Sequence, residues 1–184
     1  MAKKKDERKN GDGQPPPEVA AQGEASPAVK PGTATQAQLN VVGQYVKDLS
    51  FESPGAPKSL QGPGQNPQLK VSINVAASSV SEDTYEVVLN LEVHTTSDAG
   101  VIYNVELAYG GLFRLKNVPA NLLQPVLFVD CPTLLFPFLR RLVADITRDG
   151  GFPPLMLDPI DFGRLYAQNL ARAKEQAAAP EAKN

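Results

Sequence analysis

Residues 85–109 read Tyr-Glu-Val-Val-Leu-Asn-Leu-Glu-Val-His-Thr-Thr-Ser-Asp-Ala-Gly-Val-Ile-Tyr-Asn-Val-Glu-Leu-Ala-Tyr, and their pattern decides the fold. Tyr85, Val87, Leu89, Leu91 and Val93 alternate with Glu86, Val88, Asn90, Glu92 and His94. After Ser97-Asp98-Ala99-Gly100, a hairpin signal, Val101, Tyr103, Val105, Leu107 and Tyr109 alternate with Ile102, Asn104, Glu106 and Ala108. A period of two with β-branched and aromatic residues predicts two antiparallel strands. Gly110-Gly111 permits a bulge or bend before Leu112–Leu115.

The same period extends upstream. Gln68 to Ala76 puts Leu69, Val71, Ile73 and Val75 on one face, and Glu82-Asp83 turns the chain into the hairpin. Val41 to Glu52 predicts a first strand, with Val41, Gly43, Tyr45, Lys47, Leu49 and Phe51 on one side, where Lys47 breaks the pattern. Between them, residues 53–67 carry four prolines and three glycines, which leaves a long loop that crosses an edge or end of the sheet. After Asn117 the period changes. Leu134, Leu135, Phe138, Leu139, Leu142, Val143 and Ile146 recur at helical spacing, predicting a helix from Thr133 to Asp149 stopped by Gly150-Gly151. Pro137 does not suit a helix interior, so a kink or a later start is expected. Asp161 is placed to cap a second helix striped by Phe162, Leu165, Tyr166, Leu170 and Ala173. The reading is α+β: a four-stranded antiparallel sheet, a long loop between strands one and two, and two C-terminal helices on one face.

Both ends are of another character. Residues 1–38 hold five prolines and only Val19 and Val29 as sizeable apolar side chains before Leu39, so they are expected to be disordered. The folded domain is expected over 39–175, and the Ala-rich tail 176–184 is expected to fray. The extension carries six basic and five acidic side chains, which leaves 12 basic against 15 acidic for the rest. Its lysine-rich start is a solubilising tail or, on a second reading, a binding arm.

Composition narrows the function. In 184 residues there are 18 basic and 20 acidic side chains, a balance that argues against nucleic acid as the main partner. A single cysteine, Cys131, excludes an intrachain disulfide, and with a single histidine, His94, no zinc site is expected. No secretory leader is read, and no stretch is expected to reach the ~20 apolar residues that span a bilayer. The chain has no phosphate-cradling G-x-x-x-x-G-K-[ST] and no dinucleotide fingerprint, so no cofactor is expected. His94 reads as a general base or as a solvated strand histidine, and Cys131 as a nucleophile or as a buried inert thiol. An enzyme is not the expected class. What stands out is apolar residues on both sides of strands, as in Val41-Val42, Val87-Val88 and Val101-Ile102-Tyr103. Subunit association, an exposed apolar groove, both together, or two-sided burial in a monomer would account for them.

Five strings, in order from about Leu39 to about Ala173, resemble a known family. They are Tyr45-Val-Lys-Asp-Leu-Ser-Phe-Glu52 with Ser53-Pro-Gly-Ala-Pro57; Asp83-Thr-Tyr-Glu-Val-Val-Leu89; Glu106-Leu-Ala-Tyr-Gly-Gly111; Cys131-Pro-Thr-Leu-Leu-Phe-Pro137; and Gly151-Phe-Pro-Pro-Leu-Met-Leu-Asp-Pro-Ile-Asp-Phe162. The family is SecB, the bacterial chaperones that hold precursor proteins unfolded for export without using ATP. Two positions depart from its pattern: Lys58 to Asn66 contains Leu60 but no aromatic residue, and Asn104 is polar.

The resemblance implies a cytoplasmic homotetramer, a dimer of dimers whose four-stranded sheets pair into eight-stranded ones. Val105, Leu107 and Tyr109 then support assembly, with Phe138 and Leu142 on the long helix. It implies clients held in a groove formed by the crossover loop, with Leu60, and by Leu155, Met156, Leu157, Phe162 and Leu165. It also implies an acidic docking face for the motor ATPase SecA at Asp48, Glu52 and Glu106. A second reading within the same resemblance is a general or toxin–antitoxin-associated holdase not dedicated to export.

Overall fold

The structure, a computed structural model, describes residues 36–62 and 64–178; the expected disordered extension therefore falls almost wholly outside the described residues, as does the tail beyond Ala178. Four strands, β1 (Gln38–Glu52), β2 (Gln68–Ser81), β3 (Thr84–Ser97) and β4 (Gly100–Lys116), form one antiparallel sheet in the order β1-β4-β3-β2. The expected hairpin is its centre, and Gly100 takes a φ of 114° at the turn. β1 and β2 are the two edges, so residues 53–67 run from one side of the sheet to the other, with a 3₁₀ turn at Lys58–Gln61. β2 continues past Ala76 because Ala77 and Ser78 still find partners in Val87 and Glu86.

The alternation expected for β1 is interrupted twice. Its pairing with β4 slips at Val42 and again at Lys47, each an extra residue on β1. Val46 is thereby turned to the face shared with Tyr109, while Tyr45 lies opposite Gly110 on the other face. The glycine pair itself, which would have permitted a bulge or bend, keeps regular register. Its lack of side chains serves close approach: a Cβ on Gly110 would meet the Tyr45 ring at 2.8 Å, and one on Gly111 would meet Leu135 at 2.7 Å.

The larger correction concerns the long helix, which begins at Ala120 rather than Thr133. α1 (Ala120–Pro125) passes through a widened turn at Val126–Asp130 into α2 (Cys131–Asp149). The wide turn has a local cause. Pro132 donates no N–H, and its ring crowds the carbonyl four residues back; here the Cys131 N–H instead reaches five back, to Val126 O. Thr133 Oγ1 donates to Val129 O at 2.6 Å across the same turn. Pro137 is carried inside α2 without ending it. By length and composition Ala120–Asp149 would suffice to cross a membrane, contrary to the expectation of no such stretch. Here it roofs the sheet: Leu127, Cys131, Leu135, Leu139 and Val143 are buried on Val87, Leu89, Leu91 and Val93 of β3 and Val105, Leu107 and Phe113 of β4.

α3 (Phe162–Ala178) begins as expected, with Asp161 Oδ1 accepting from the Arg164 N–H at 2.9 Å. It lies on the same side of the sheet, toward β2: Tyr166 stacks on Phe128 of the wide turn at 5.9 Å, and Phe162 meets Phe136 edge-on. Part of the apolar surplus is absorbed in this single chain, where Val88 and Ile102 are buried. The rest is not. Val41, Val42, Tyr45, Val46 and Leu49 of β1 and Leu134 and Phe138 of α2 remain exposed. Since Leu139 is completely buried at the centre of the helix–sheet contact, Leu139→Ala should lower unfolding stability by roughly 2–5 kcal/mol in chemical denaturation.

Candidate functional site

Two surfaces on opposite sides of the sheet carry the expected residues. The first is a cleft of about 390 Å³ beneath the loop that joins the edge strands, lined by Leu60, Pro67, Thr95, Ile102, Tyr103, Phe152 and Leu155 among others. Its wall is the segment after α2. Gly151 turns there with φ 86°, and Leu60 of the loop rests against it, so that a Cβ on Gly151 would meet Leu60 Cδ2 at 3.0 Å. Gly150 is closed in by the Phe51 ring. Thr147, fully buried, fixes the wall: its Oγ1 donates to Val143 O at 2.8 Å and accepts from the Leu155 N–H at 2.9 Å. Its backbone O accepts from the Phe152 N–H at 3.1 Å.

The expected groove residues do not form one lining. Leu60 and Leu155 share this cleft, and Met156 next to it is 59% exposed. Leu157 and Phe162 are core residues and present no surface. Leu165 lines a second cleft, of about 210 Å³, with Val75, Phe128, Tyr166 and Leu170. Sequence reasoning missed Tyr103 and Phe152, whose rings lie 4.9 Å apart with Phe51 behind them. They supply aromatic surface that the loop itself lacks. Tyr103 was legible as a core-side strand residue, whereas only the turn at Gly150-Gly151 brings Phe152 back to it.

The second surface is the sheet face turned away from the helices. Asp48, Glu52 and Glu106 all lie on it, because Asp48 pairs with Ala108, Ser50 with Glu106, and Glu52 with Asn104. Glu92 joins them, directly opposite Glu106 in the β3–β4 register. Its place on the outer face was in the alternation, but its neighbour across the strands was not. None of these four carboxylates has an ion-pair partner among the described residues. Like charges set opposite each other, as Glu92 and Glu106 are, cost stability, and the described residues do not offset this acidic charge. Next to it the exposed His94 and half-buried Asn104 have Nδ1 and Oδ1 3.1 Å apart. That arrangement gives His94 no acidic partner of the kind that orients a general base.

One corner of this face is neutralised internally. Lys47 Nζ donates to both Glu86 oxygens, at 2.8 and 2.9 Å, and the Tyr45 hydroxyl donates to the same carboxylate. The Lys47 and Tyr45 hydrogen bonds hold the Glu86 carboxyl below its ordinary range. In return, the bond to Glu86 pushes the Tyr45 phenol up to about 12, with burial and the carboxylate's charge adding to it.

The expected assembly residues divide likewise. Val105, Leu107 and Tyr109 are buried beneath α2 within one chain and form no outer surface of their own. Phe138, 45% exposed, stacks on Tyr109 at 6.5 Å, and Leu142 is half-buried beside the core. Cys131 is buried, and burial, with the Asp130 charge behind it, pushes its thiol up to about 12, leaving an unreactive group at neutral pH.

A four-stranded antiparallel sheet roofed on one side by helices is the fold of SecB-like chaperones. The solved structure of a Mycobacterium tuberculosis SecB-like chaperone, in complex with a ChAD peptide from the HigA1 antitoxin, matches with a TM-score of 0.55. It covers 66% of this chain and 90% of that one at 16% identity, which establishes the common fold alone. The sequence goes further. Residues 32–173 match the family described as preprotein translocase subunit SecB. The protein-export protein SecB of Bradyrhizobium sp. strain BTAi1 is 54% identical over 149 residues, 81% of this chain and 90% of its own. That of Bradyrhizobium diazoefficiens is 50% identical over 163 residues, 89% of this chain and 92% of its own. The chain belongs to the SecB family, whose members are chaperones of protein export.

Two measurements check the geometry. Thr147→Val keeps the side chain's shape but strands the Leu155 N–H, and should cost about 1–3 kcal/mol of stability in thermal or urea unfolding. For Tyr45, whose folded pKa lies above the ordinary 10, the phenol's contribution is complete below pH 10 and lost as pH rises through about 12. Ultraviolet titration should therefore show a phenolate component near 12 that disappears in Tyr45→Phe.

Proposed function

We propose that the protein is an ATP-independent holdase of the cytoplasm, which binds unfolded precursor proteins and delivers them to SecA. The observation that carries this reading is the pair of opposed surfaces on one sheet. The cleft under the loop is apolar and aromatic, and its outline follows backbone and side chains that an extended chain of many sequences fits. Holding the unfolded state removes it from the folding equilibrium by mass action, which needs no nucleotide. On the other face, Asp48, Glu52, Glu92 and Glu106 offer a basic partner uncompensated charge. Such charge sets encounter rate and partner choice and weakens in salt. The first two and the last match the positions that the resemblance assigns to SecA.

The proposal includes a homotetramer built as a dimer of dimers. In its support, the exposed apolar side chains of β1 lie on an edge strand with free backbone groups, and Leu134 and Phe138 of α2 are exposed as well. An edge of this kind is an aggregation hazard unless another sheet continues it. The chaperone domain is proposed to span about 39–175, close to the residues 32–173 that match the family. Export is preferred over a general holdase role because the relatives of about 50% identity carry the export name and cover most of this chain.

Light scattering should return a tetramer, and the protein should slow refolding of a denatured precursor; a monomer without effect on refolding would defeat the reading. Replacing Asp48 and Glu52 together by lysine should abolish salt-sensitive binding to SecA while leaving the delay of refolding intact. A general holdase would show the delay and no SecA binding in the unmodified chain.

A further inference from the structure

The docking face depends on a slip in register. Without the extra residue at Lys47, Asp48 would turn to the helix side of the sheet and Glu52 with it, because each one-residue shift exchanges the faces of every residue that follows. The extra residue of a bulge loses its ladder partner, and β1 is an edge strand held by β4 alone. Something must keep the bulge where it is.

We propose that Lys47, Tyr45, Glu86 and Gly110 form a clamp across the outer face that fixes this bulge and so aims Asp48 and Glu52 at the basic partner; the inference rests on the docking reading above. The geometry is specific. Glu86 stands on β3, two strands from β1, with β4 between. Both Tyr45 and Lys47, the residues on either side of Val46 at the slip, reach over β4 to the same carboxylate. They pass where β4 has Gly110 and Ala108, and the Tyr45 ring lies on Gly110 so closely that a Cβ there would come within 2.8 Å of it. Lys47 is the bulged residue itself, so its two bonds to Glu86, at 2.8 and 2.9 Å, tie down the one position that the ladder leaves unpaired. Glu86, only 18% exposed, is neutralised in the process, which leaves the acidic patch to Asp48, Glu52, Glu92 and Glu106. These are positioning residues; none of them is asked to touch the partner.

A charge argument and the clamp predict opposite signs for one substitution. Lys47→Met makes the face more negative by one charge, so attraction alone would tighten binding of purified SecA. The clamp predicts weakening, by roughly twofold to tenfold, the scale of misaiming one or two exposed ion pairs. Gly110→Ala, which changes no charge and displaces the Tyr45 ring, should weaken binding in the same way, and Lys47→Arg should restore it. Affinity is read by titration calorimetry at two salt concentrations on the full-length chain, with delay of precursor refolding recorded in parallel to certify that each variant is folded and holds client. Unchanged or tighter binding by Lys47→Met and Gly110→Ala, with the unmodified protein binding SecA normally, overturns the clamp alone. Absence of SecA binding by the unmodified protein overturns the docking reading and the clamp with it.

Discussion

Everything in this molecule is arranged around one continuous helix lying on one face of a sheet. Ala120–Asp149 covers the faces of β3 and β4 whose valines, leucines and Phe113 are almost completely removed from water. At the usual ~25 cal/mol per Å² of apolar area, a contact of this kind is the main favourable term for so small a domain. The helix holds three prolines, Pro125, Pro132 and Pro137, each a defect in a regular hydrogen-bond ladder. Burial outweighs them, and the widened turn at Val126–Asp130 takes up the mismatch without ending the helix. A consequence is that the helical roof has an edge. α3 extends it toward β2, but among the described residues nothing extends it toward β1, whose apolar residues stay open.

The alternation in residues 68–115 made the sheet legible, since a period of two in three successive runs leaves little freedom once hairpin turns join them. It failed where the chain departs from period two. The two slips in β1 were visible only as the anomaly at Lys47, because a bulge is decided by cross-strand partners rather than by its own sequence. The early start of the helix was hidden for a related reason. Residues 120–132 carry two prolines, and local propensity speaks against a helix there, while the apolar side of Val126, Leu127 and Cys131 is fixed only when the sheet lies beneath it.

The site residues were legible in unequal measure. Asp48, Glu52 and Glu106 lie on one face of the sheet, and strand pairing adds Glu92 to it. The groove was read less well, because a motif string does not distinguish residues that face a cleft from those that hold its wall. Leu157 and Phe162 stand in the same string as Leu155 and Met156 and are buried. Phe152 and Tyr103, far apart in sequence, meet only through the Gly150-Gly151 turn.

The division of labour between the faces follows from the same geometry. Four strands have two faces, and the helices use one. A second apolar face would have to be covered by another layer, whereas a charged one is satisfied by water. The cleft cannot lie there, because it needs an apolar wall; it sits at the rim, where the segment leaving α2 and the loop between the edges overhang Tyr103 and Ile102. The outer face is thus left to charge. None of the residues that line the cleft belongs to the acidic set Asp48, Glu52, Glu92 and Glu106, so the two surfaces are separate. The link between them is β1 and its continuation. Asp48 and Glu52 stand on it, Phe51 between them backs the cleft's aromatic pair, and the loop that carries Leu60 starts one residue after Glu52.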